Sequence, residues 1–434
     1  MPRPDSIVDW LRDLLQSRFL RNTAAVVSGN AAAHIVTMIF APILTRLYGP
    51  TAYGLLGAFM AAVAVVTPLA AFAYPTAIVV ASDDDEARSL FRLSTRLAVG
   101  ASIALCVLLA WQGARVRALP GLAPIEPFLL LIPVALFLQS QLLALQQWTI
   151  RQRRFSLLAK AALGQSLGIN VVRAVGGLLH PSALVLIVLS VLGFASHALL
   201  LFKPKSTAGG VALHRASSAD LPPLRVVARR YSDFPIYRAP QNFISAVSLA
   251  LPVLLLAGLV GPASAGFYSI GQTVLGLPAA LIGKAVGDVL YPDLAESARA
   301  GASIYRPIYR SVAGLALMGL APFGVVAALG PMLFGYVFGA EWTQAGEYAQ
   351  WMSLLLFFNF ASKPAVAAVS VLGIQRGLLT YEVVSTACKI TALIVGFCVF
   401  EDDVVAVAAY AVVGALSYVA MVAWVLGVAK RSWR

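Results

Sequence analysis

Acidic residues and cysteines are scarce in this sequence. Of 434 residues only 19 are Asp or Glu, and only 12% carry a charge of either sign. A soluble domain carries about 25% charged residues, so half that density leaves too little polar surface to cover a water-soluble particle of this size. The three cysteines, Cys106, Cys388 and Cys398, all fall inside apolar runs. Cys388 and Cys398 lie ten residues apart on one expected helix and cannot bridge, and nothing reads as a disulfide framework or a Cys-rich metal site. The four histidines form no H-E-x-x-H, and the one Gly-Lys pair, Gly283-Lys284, is followed by Ala285 within an apolar run, so there is no P-loop. Every loop but one is short. Together these absences exclude a soluble enzyme and predict no cofactor, no metal and no catalytic residue. The acidic N-terminus has no small-residue cleavage site and does not read as a cleaved signal peptide.

What the chain has instead is apolar length. Hydrophobic residues make up 60% of it, and the mean hydropathy is +0.83. A helix needs about 20 apolar residues to cross about 30 Å of hydrocarbon. Twelve such runs are expected, at 23–45, 53–81, 91–111, 125–148, 157–178, 182–202, 239–260, 266–290, 309–330, 346–372, 378–399 and 404–427. The net charge of +13 would suggest a nucleic-acid partner in a soluble protein; in a membrane protein it follows from the gathering of cations in cytoplasmic loops. With both termini in the cytoplasm, 24 of the 32 cations fall on cytoplasmic segments, three on the opposite face and five inside spans. The bias predicts an all-α polytopic membrane protein, N-in and C-in, with no nucleic-acid partner. Ile7, Trp10, Leu11, Leu14, Leu15 and Phe19 form one stripe, so residues 1–22 are expected to be an amphipathic helix on the cytoplasmic leaflet or a short helix packed on the loops.

The sequence also repeats itself. Leu47-Tyr-Gly49-Pro50-Thr-Ala-Tyr-Gly54 recurs 212 residues later as Leu259-Val-Gly261-Pro262-Ala-Ser-Ala-Gly266. Gly-Pro turns are common, but both copies join an odd-numbered run to the next even one, and the longest loop lies between the halves. The expected organisation is therefore two six-helix lobes, 23–202 and 239–427, joined by a cytoplasmic linker, 203–238, with a cytoplasmic tail at 428–434. Because six is even, the lobes keep one orientation. Parallel-repeat transporters place their substrate between the repeats and rock them against each other.

Several charges lie where charge is expensive. A Lys or Arg at the bilayer centre costs about 2.5–3.5 kcal/mol on insertion scales, and such residues normally face a water-filled cavity or pair within the bundle. Lys363 and Lys389 fall near the middle of their runs, with Arg173 and Lys284 in the outer and inner thirds. Asp288 and Glu382 are the only acids placed to meet them. Asp288 is four residues from Lys284, the spacing of an ordinary helix pair, and Glu382 is two turns from Lys389. An excess of cations between lobes predicts an anionic cargo, because Arg binds phosphate bidentately and Lys binds it as a point charge. Arg46 is expected at the outer mouth and Arg238 at the inner end of the seventh span. Asn170, Gln165 and the glutamines Gln139, Gln141, Gln146 and Gln147 could meet hydroxyls or glue helices together. His34 is either a proton-sensitive group or a packing residue. Asp83-Asp84-Asp85-Glu86 has the D-x-D of metal–nucleotide-sugar sites, but in a loop this short it reads as a solvated helix start.

Ordered segments resemble the Wzx-type polysaccharide flippases. They are Pro42-Ile-Leu-Thr-Arg46-Leu-Tyr-Gly-Pro-Thr-Ala-Tyr-Gly54, the stretch from Ala77 to Ala87, Tyr231-Ser-Asp-Phe-Pro235-Ile-Tyr-Arg-Ala-Pro240, Gly276-Leu-Pro-Ala-Ala-Leu-Ile-Gly283, Phe338-Gly-Ala-Glu-Trp342 and Val371-Leu-Gly-Ile-Gln375. The resemblance implies a member of the multidrug/oligosaccharidyl-lipid/polysaccharide exporter superfamily, with two six-helix lobes around a central cavity. It further implies a non-enzymatic flippase of the bacterial inner membrane that moves polyprenyl-pyrophosphate-linked oligosaccharide, with a polysaccharide polymerase and assembly proteins as partners. The related lipid II flippases admit lipid between the first and eighth helices, which here carry His34 and Lys284. The expected substrate-binding residues are Arg46, Arg173, Arg238, Lys284, Lys363 and Lys389, with His34, Asp288 and Glu382 tuning or coupling. A multidrug cation antiporter on the same fold needs more buried acids than this chain has, and a membrane polymerase or ligase needs a larger outward loop.

Overall fold

A computed structural model describes residues 18–117, 121–202, 221–278, 284–300 and 302–431, with the side chains of 18–28, 113–117, 284–289 and 291–292 outside the description. Residues 1–17 and 203–220 therefore leave the amphipathic N-terminus and the first half of the linker untested. Among the described residues the chain is helical, with no strand. The helices are α1 (Arg18–Ala70), α2 (Tyr74–Ala77), α3 (Asp84–Arg117), α4 (Leu131–Arg151), α5 (Phe155–Leu179), α6 (Ala183–Phe202), α7 (Leu224–Arg230), α8 (Ala239–Leu259), α9 (Pro262–Pro278), α10 (Lys284–Arg299), α11 (Tyr305–Phe338), α12 (Thr343–Ala361), α13 (Lys363–Val371), α14 (Gln375–Phe400) and α15 (Asp403–Arg431). Nine helical stretches among the described residues are long and apolar enough to cross a membrane.

Where helices depart from the apolar runs, proline accounts for the break. The runs 23–45 and 53–81 form one long α1, bent sharply at Gly49, whose φ of 69° is open to a glycine. Pro50 follows, where a missing N–H costs nothing at the start of a helical arm. The second copy does the same with Gly261 (φ 144°) between α8 and α9. The second arm of α1 stops at Ala70, and Phe72 and Ala73 take left-handed φ before the short α2 with Pro75 at its start. The run 125–148 begins as a 3-10 turn, Ala123–Phe128, containing Pro124 and Pro127. In the run 266–290, α9 is described to Pro278 and α10 from Lys284, with 279–283 outside the described residues. The run 346–372 breaks at Ser362 before Pro364. Hydropathy sees apolar length, whereas the backbone also needs an N–H at every turn.

α1 is the spine. It packs on α4, α5 and α6 from its own half and on α8 and α9 from the other. In the second half α12 lies against α9, α11 and α15, and α14 pairs with α15. The largest core cluster runs through both halves, from Ala58, Phe59 and Val63 to Leu256, Phe267, Trp342 and Tyr348, all buried. Outward faces stay apolar: Leu178, Leu179, Leu199, Leu317, Met332 and Tyr336 are strongly exposed, as helices facing lipid require.

The far end of the first half is held by charge. Asp83 caps α3, its Oδ1 accepting from the Glu86 N–H at 2.7 Å, so the acidic run is the expected helix start. Its other three acids are committed to cations. Asp84 pairs with Arg151 at 3.0 Å, Asp85 with Arg88 at 2.5 Å, and the buried Glu86 with Arg230 of α7 while accepting from the Tyr231 hydroxyl at 2.9 Å. Val227 is buried among Tyr74, Ile78, Leu90 and Trp148. The second half of the expected linker is thus docked on the first lobe, and continues through a π-helical turn, Phe234–Arg238, into α8.

Candidate substrate cavity

The α1 elbow, α5, α8 and α9 enclose a cavity of about 590 Å³ between the two halves. Its wall is mostly apolar, from Ala41, Leu44, Leu56, Leu249 and Val253, with polar groups from α1 (Thr37), α5 (Asn170, Arg173) and α9 (Ser269, Gln272, Thr273). Thr37 and Ser166 share a hydrogen bond at 3.0 Å, and the Asn170 amide donates to the Ser166 carbonyl at 2.7 Å, which leaves buried Asn170 Oδ1 without a partner among the described residues. Arg173 donates through Nη2 to Ser190 at 2.8 Å, and its backbone carbonyl accepts from the Tyr48 hydroxyl at 2.7 Å. Its Nε is buried and unpartnered among the described residues. A guanidinium held by one serine and no carboxylate keeps most of its donors for a ligand.

A second cavity, about 320 Å³, lies within the second half, between α8, α9, α12, α13, α14 and α15. Leu249 and Gln272 line both cavities, so the two adjoin. Here Lys363, Lys389 and Glu382 come together. Lys389 is only 8% exposed, with its ammonium 6.0 Å from the Tyr410 ring centroid and 5.9 Å from that of Tyr418. Ring faces stabilise a desolvated cation by about 2 kcal/mol. Glu382 accepts from Ser245 at 2.9 Å, and Ser248 and Thr386 bond at 2.7 Å, tying α14 to α8. Neither lysine has a carboxylate within ion-pair distance among the described residues.

Of the sequence-predicted residues, five line cavities: Asn170 and Arg173 the first, Lys363, Lys389 and Glu382 the second. Arg46, Arg238 and His34 line neither. Arg238 is exposed at the end of the π-helical turn and His34 is exposed on α1. The side chains of Lys284 and Asp288 lie outside the described residues. The glutamines of α4 line neither cavity; Gln141 accepts from Thr95 at 3.0 Å. Sequence reasoning missed the tyrosines Tyr268, Tyr381, Tyr410 and Tyr418 and the hydroxyls Ser245 and Ser248. Tyrosine recurring in apolar spans was the available signal, since a buried hydroxyl seeks a partner.

Arg46 lies outside both cavities. It is exposed and donates to the carbonyls of Tyr336 (2.9 Å) and Val337 (3.2 Å) in the last turn of α11. Those carbonyls lack helix partners and form the negative end of the helix dipole, so a guanidinium suits them. Next to it Thr45 donates to the Phe338 carbonyl at 3.3 Å, and the Trp342 indole donates back to the Thr45 carbonyl at 3.3 Å. Trp342 is 1% exposed, wedged edge-on against Tyr53 of one half and Phe267 of the other. This latch closes the elbow end of the bundle.

The architecture has solved counterparts. A multidrug resistance MATE family transporter of the MOP superfamily, in an inward-facing conformation, superposes with a TM-score of 0.72 at 11% identity over 92% of this chain and 96% of its own. The lipid II flippase MurJ, in an inward closed conformation, gives 0.69 at 12% identity over 94% and 87%. At these identities the likeness is one of fold. No curated protein matches significantly in sequence. Residues 43–347, most of the chain, match the family described as polysaccharide biosynthesis protein, and the chain belongs to that family.

Proposed function

We propose that this chain is a flippase carrying polyprenyl-pyrophosphate-linked oligosaccharide across the bacterial inner membrane by alternating access, for surface polysaccharide synthesis. The observation that carries the reading is the pair of adjoining cavities, which among the described residues present Arg173, Lys363 and Lys389 against the single carboxylate of Glu382. That balance suits a pyrophosphate and opposes a cationic drug. Asn359, Gln272 and the tyrosine hydroxyls suit sugar hydroxyls, and the apolar wall of the larger cavity suits the lipid end. With N-in and C-in orientation, the Arg46–Trp342 latch lies at the outer face and the Glu86–Arg230 network at the cytoplasmic face. The lobes are 23–202 and 239–427, and rocking them opens the latch. Arg46 then serves the gate, while Arg238 and Lys284 belong to cytoplasmic entry. Partners downstream are a polymerase and its assembly proteins.

The test follows lipid-linked sugars in cells lacking the gene, with a sidedness probe on spheroplasts. The reading expects polyprenyl-pyrophosphate oligosaccharide to accumulate on the cytoplasmic leaflet. Accumulation on the outer leaflet would indicate a polymerase or ligase, and no accumulation would return the case to drug export.

A further inference from the structure

Three acids at the start of α3 pair with Arg88, Arg151 and Arg230, and none reaches Arg92 or Arg96 farther along the helix. Arg92 and Arg96 lie one turn apart on α3, on one helix face. They line a cleft of about 550 Å³, apart from both cavities above, between α3 and residues 221–224. Among the described residues no acid lines it, and neither arginine has an ion-pair or hydrogen-bond partner. Like charges at this spacing repel, so the pair invites a bridging anion. The opposite wall is apolar and preformed: Leu221, Leu224 and two prolines of fixed φ, pinned to α3 by Ser89 donating to the Pro222 carbonyl at 3.0 Å. Phe91 completes it. The cleft opens on a helix that is itself a candidate span, Asp84–Gln112, whose arginines can lay their stems along apolar surface and raise their heads toward phosphate.

We propose that this cleft binds the phosphodiester of an anionic glycerophospholipid, with the guanidinium pair on the phosphate and the glycerol and upper acyl carbons on the apolar wall. Free phosphate would share the guanidinium chemistry but has no use for that wall.

Native mass spectrometry of the full chain in detergent, titrated with phosphatidylglycerol or phosphatidylcholine, tests it. The wild type should retain one phosphatidylglycerol at about tenfold lower lipid concentration than the R92Q/R96Q variant, and phosphatidylcholine, whose choline cation offsets its phosphate charge, should show a much smaller difference. R92K/R96K should stay close to wild type. If the double glutamine variant does not fold, R92Q and R96Q singly should each lose about threefold. Equal phosphatidylglycerol retention in wild type and the glutamine variants would overturn the proposal. So would displacement of the lipid by millimolar inorganic phosphate, which would assign the cleft to the free ion.

Discussion

Gly54 and Gly266 sit in each other's elbows. A Cβ on Gly54 would fall 1.5 Å from the carbonyl oxygen of Pro262, and one on Gly266 would fall 2.3 Å from that of Pro50. Each hypothetical Cβ also lies 3.0 Å from the other glycine's nitrogen. The repeat seen in the sequence therefore meets itself in space, and backbone touches backbone where the halves cross. Gly54→Ala must separate them. The expected outcome is a loss of about 1–3 kcal/mol from overpacking, with loss of transport. Gly100→Ala, where a Cβ meets nothing within 4 Å, is the matched control and should be silent. Thermal unfolding in detergent measures the first effect, and complementation of a deletion strain the second.

Lys389→Met keeps an unbranched chain one atom shorter and removes the charge from beside Tyr410 and Tyr418. It should express and unfold like wild type while transport falls at least tenfold, about 1.4 kcal/mol of lost recognition. Lys363→Ala should lose transport and Lys363→Arg should keep it. Normal transport in Lys363→Ala removes that residue from the site.

Opening of the latch should be visible from outside the cell. Arg46→Ala gives up two contacts to the end of α11, worth roughly 1 kcal/mol at this exposed position, so the closed state should become about fivefold less favoured. With Cys106, Cys388 and Cys398 replaced by serine, Ser269→Cys in the larger cavity reports access to a membrane-impermeant maleimide. Labelling should rise in Arg46→Ala. Unchanged labelling would mean that Trp342 alone keeps this end shut.

Glu86→Gln keeps a partner for Tyr231 but strips the charge from Arg230. The half-exposed arginine can hydrate, so the expected cost is about 1 kcal/mol, felt as undocking of α7 rather than global unfolding. Trypsin should cut within residues 225–230 faster in the variant, with the bundle otherwise intact. Equal cleavage rates would show that Val227 packing suffices.

The membrane character, the repeat and the presence of cations in the interior were all legible in the sequence, because each is a one-dimensional property: hydropathy, identity at an offset, charge within a run. Which cations share a chamber was not. Lys363 and Lys389 meet because Ser362 and Pro364 break a helix and so place Lys363 at a start, and this depends on three-dimensional packing. Arg46 illustrates the converse. Its place near the Gly49 elbow was readable, but its partners, two carbonyls 290 and 291 residues away, carry no side-chain signature in the sequence.

Leu249 and Gln272 stand with one face in each cavity, so the two spaces are separated by a partition of α8 and α9 rather than by a rigid floor. Volume can be exchanged across such a partition. A tilt of α8 that makes room for a bulky guest on one side withdraws it from the other, and the Glu382–Ser245 bond on α8 is strained or relieved in the same motion. On the proposed reading, filling the central space would reshape the lysine chamber in the same movement, through a helix that begins at the π-helical turn, Phe234–Arg238.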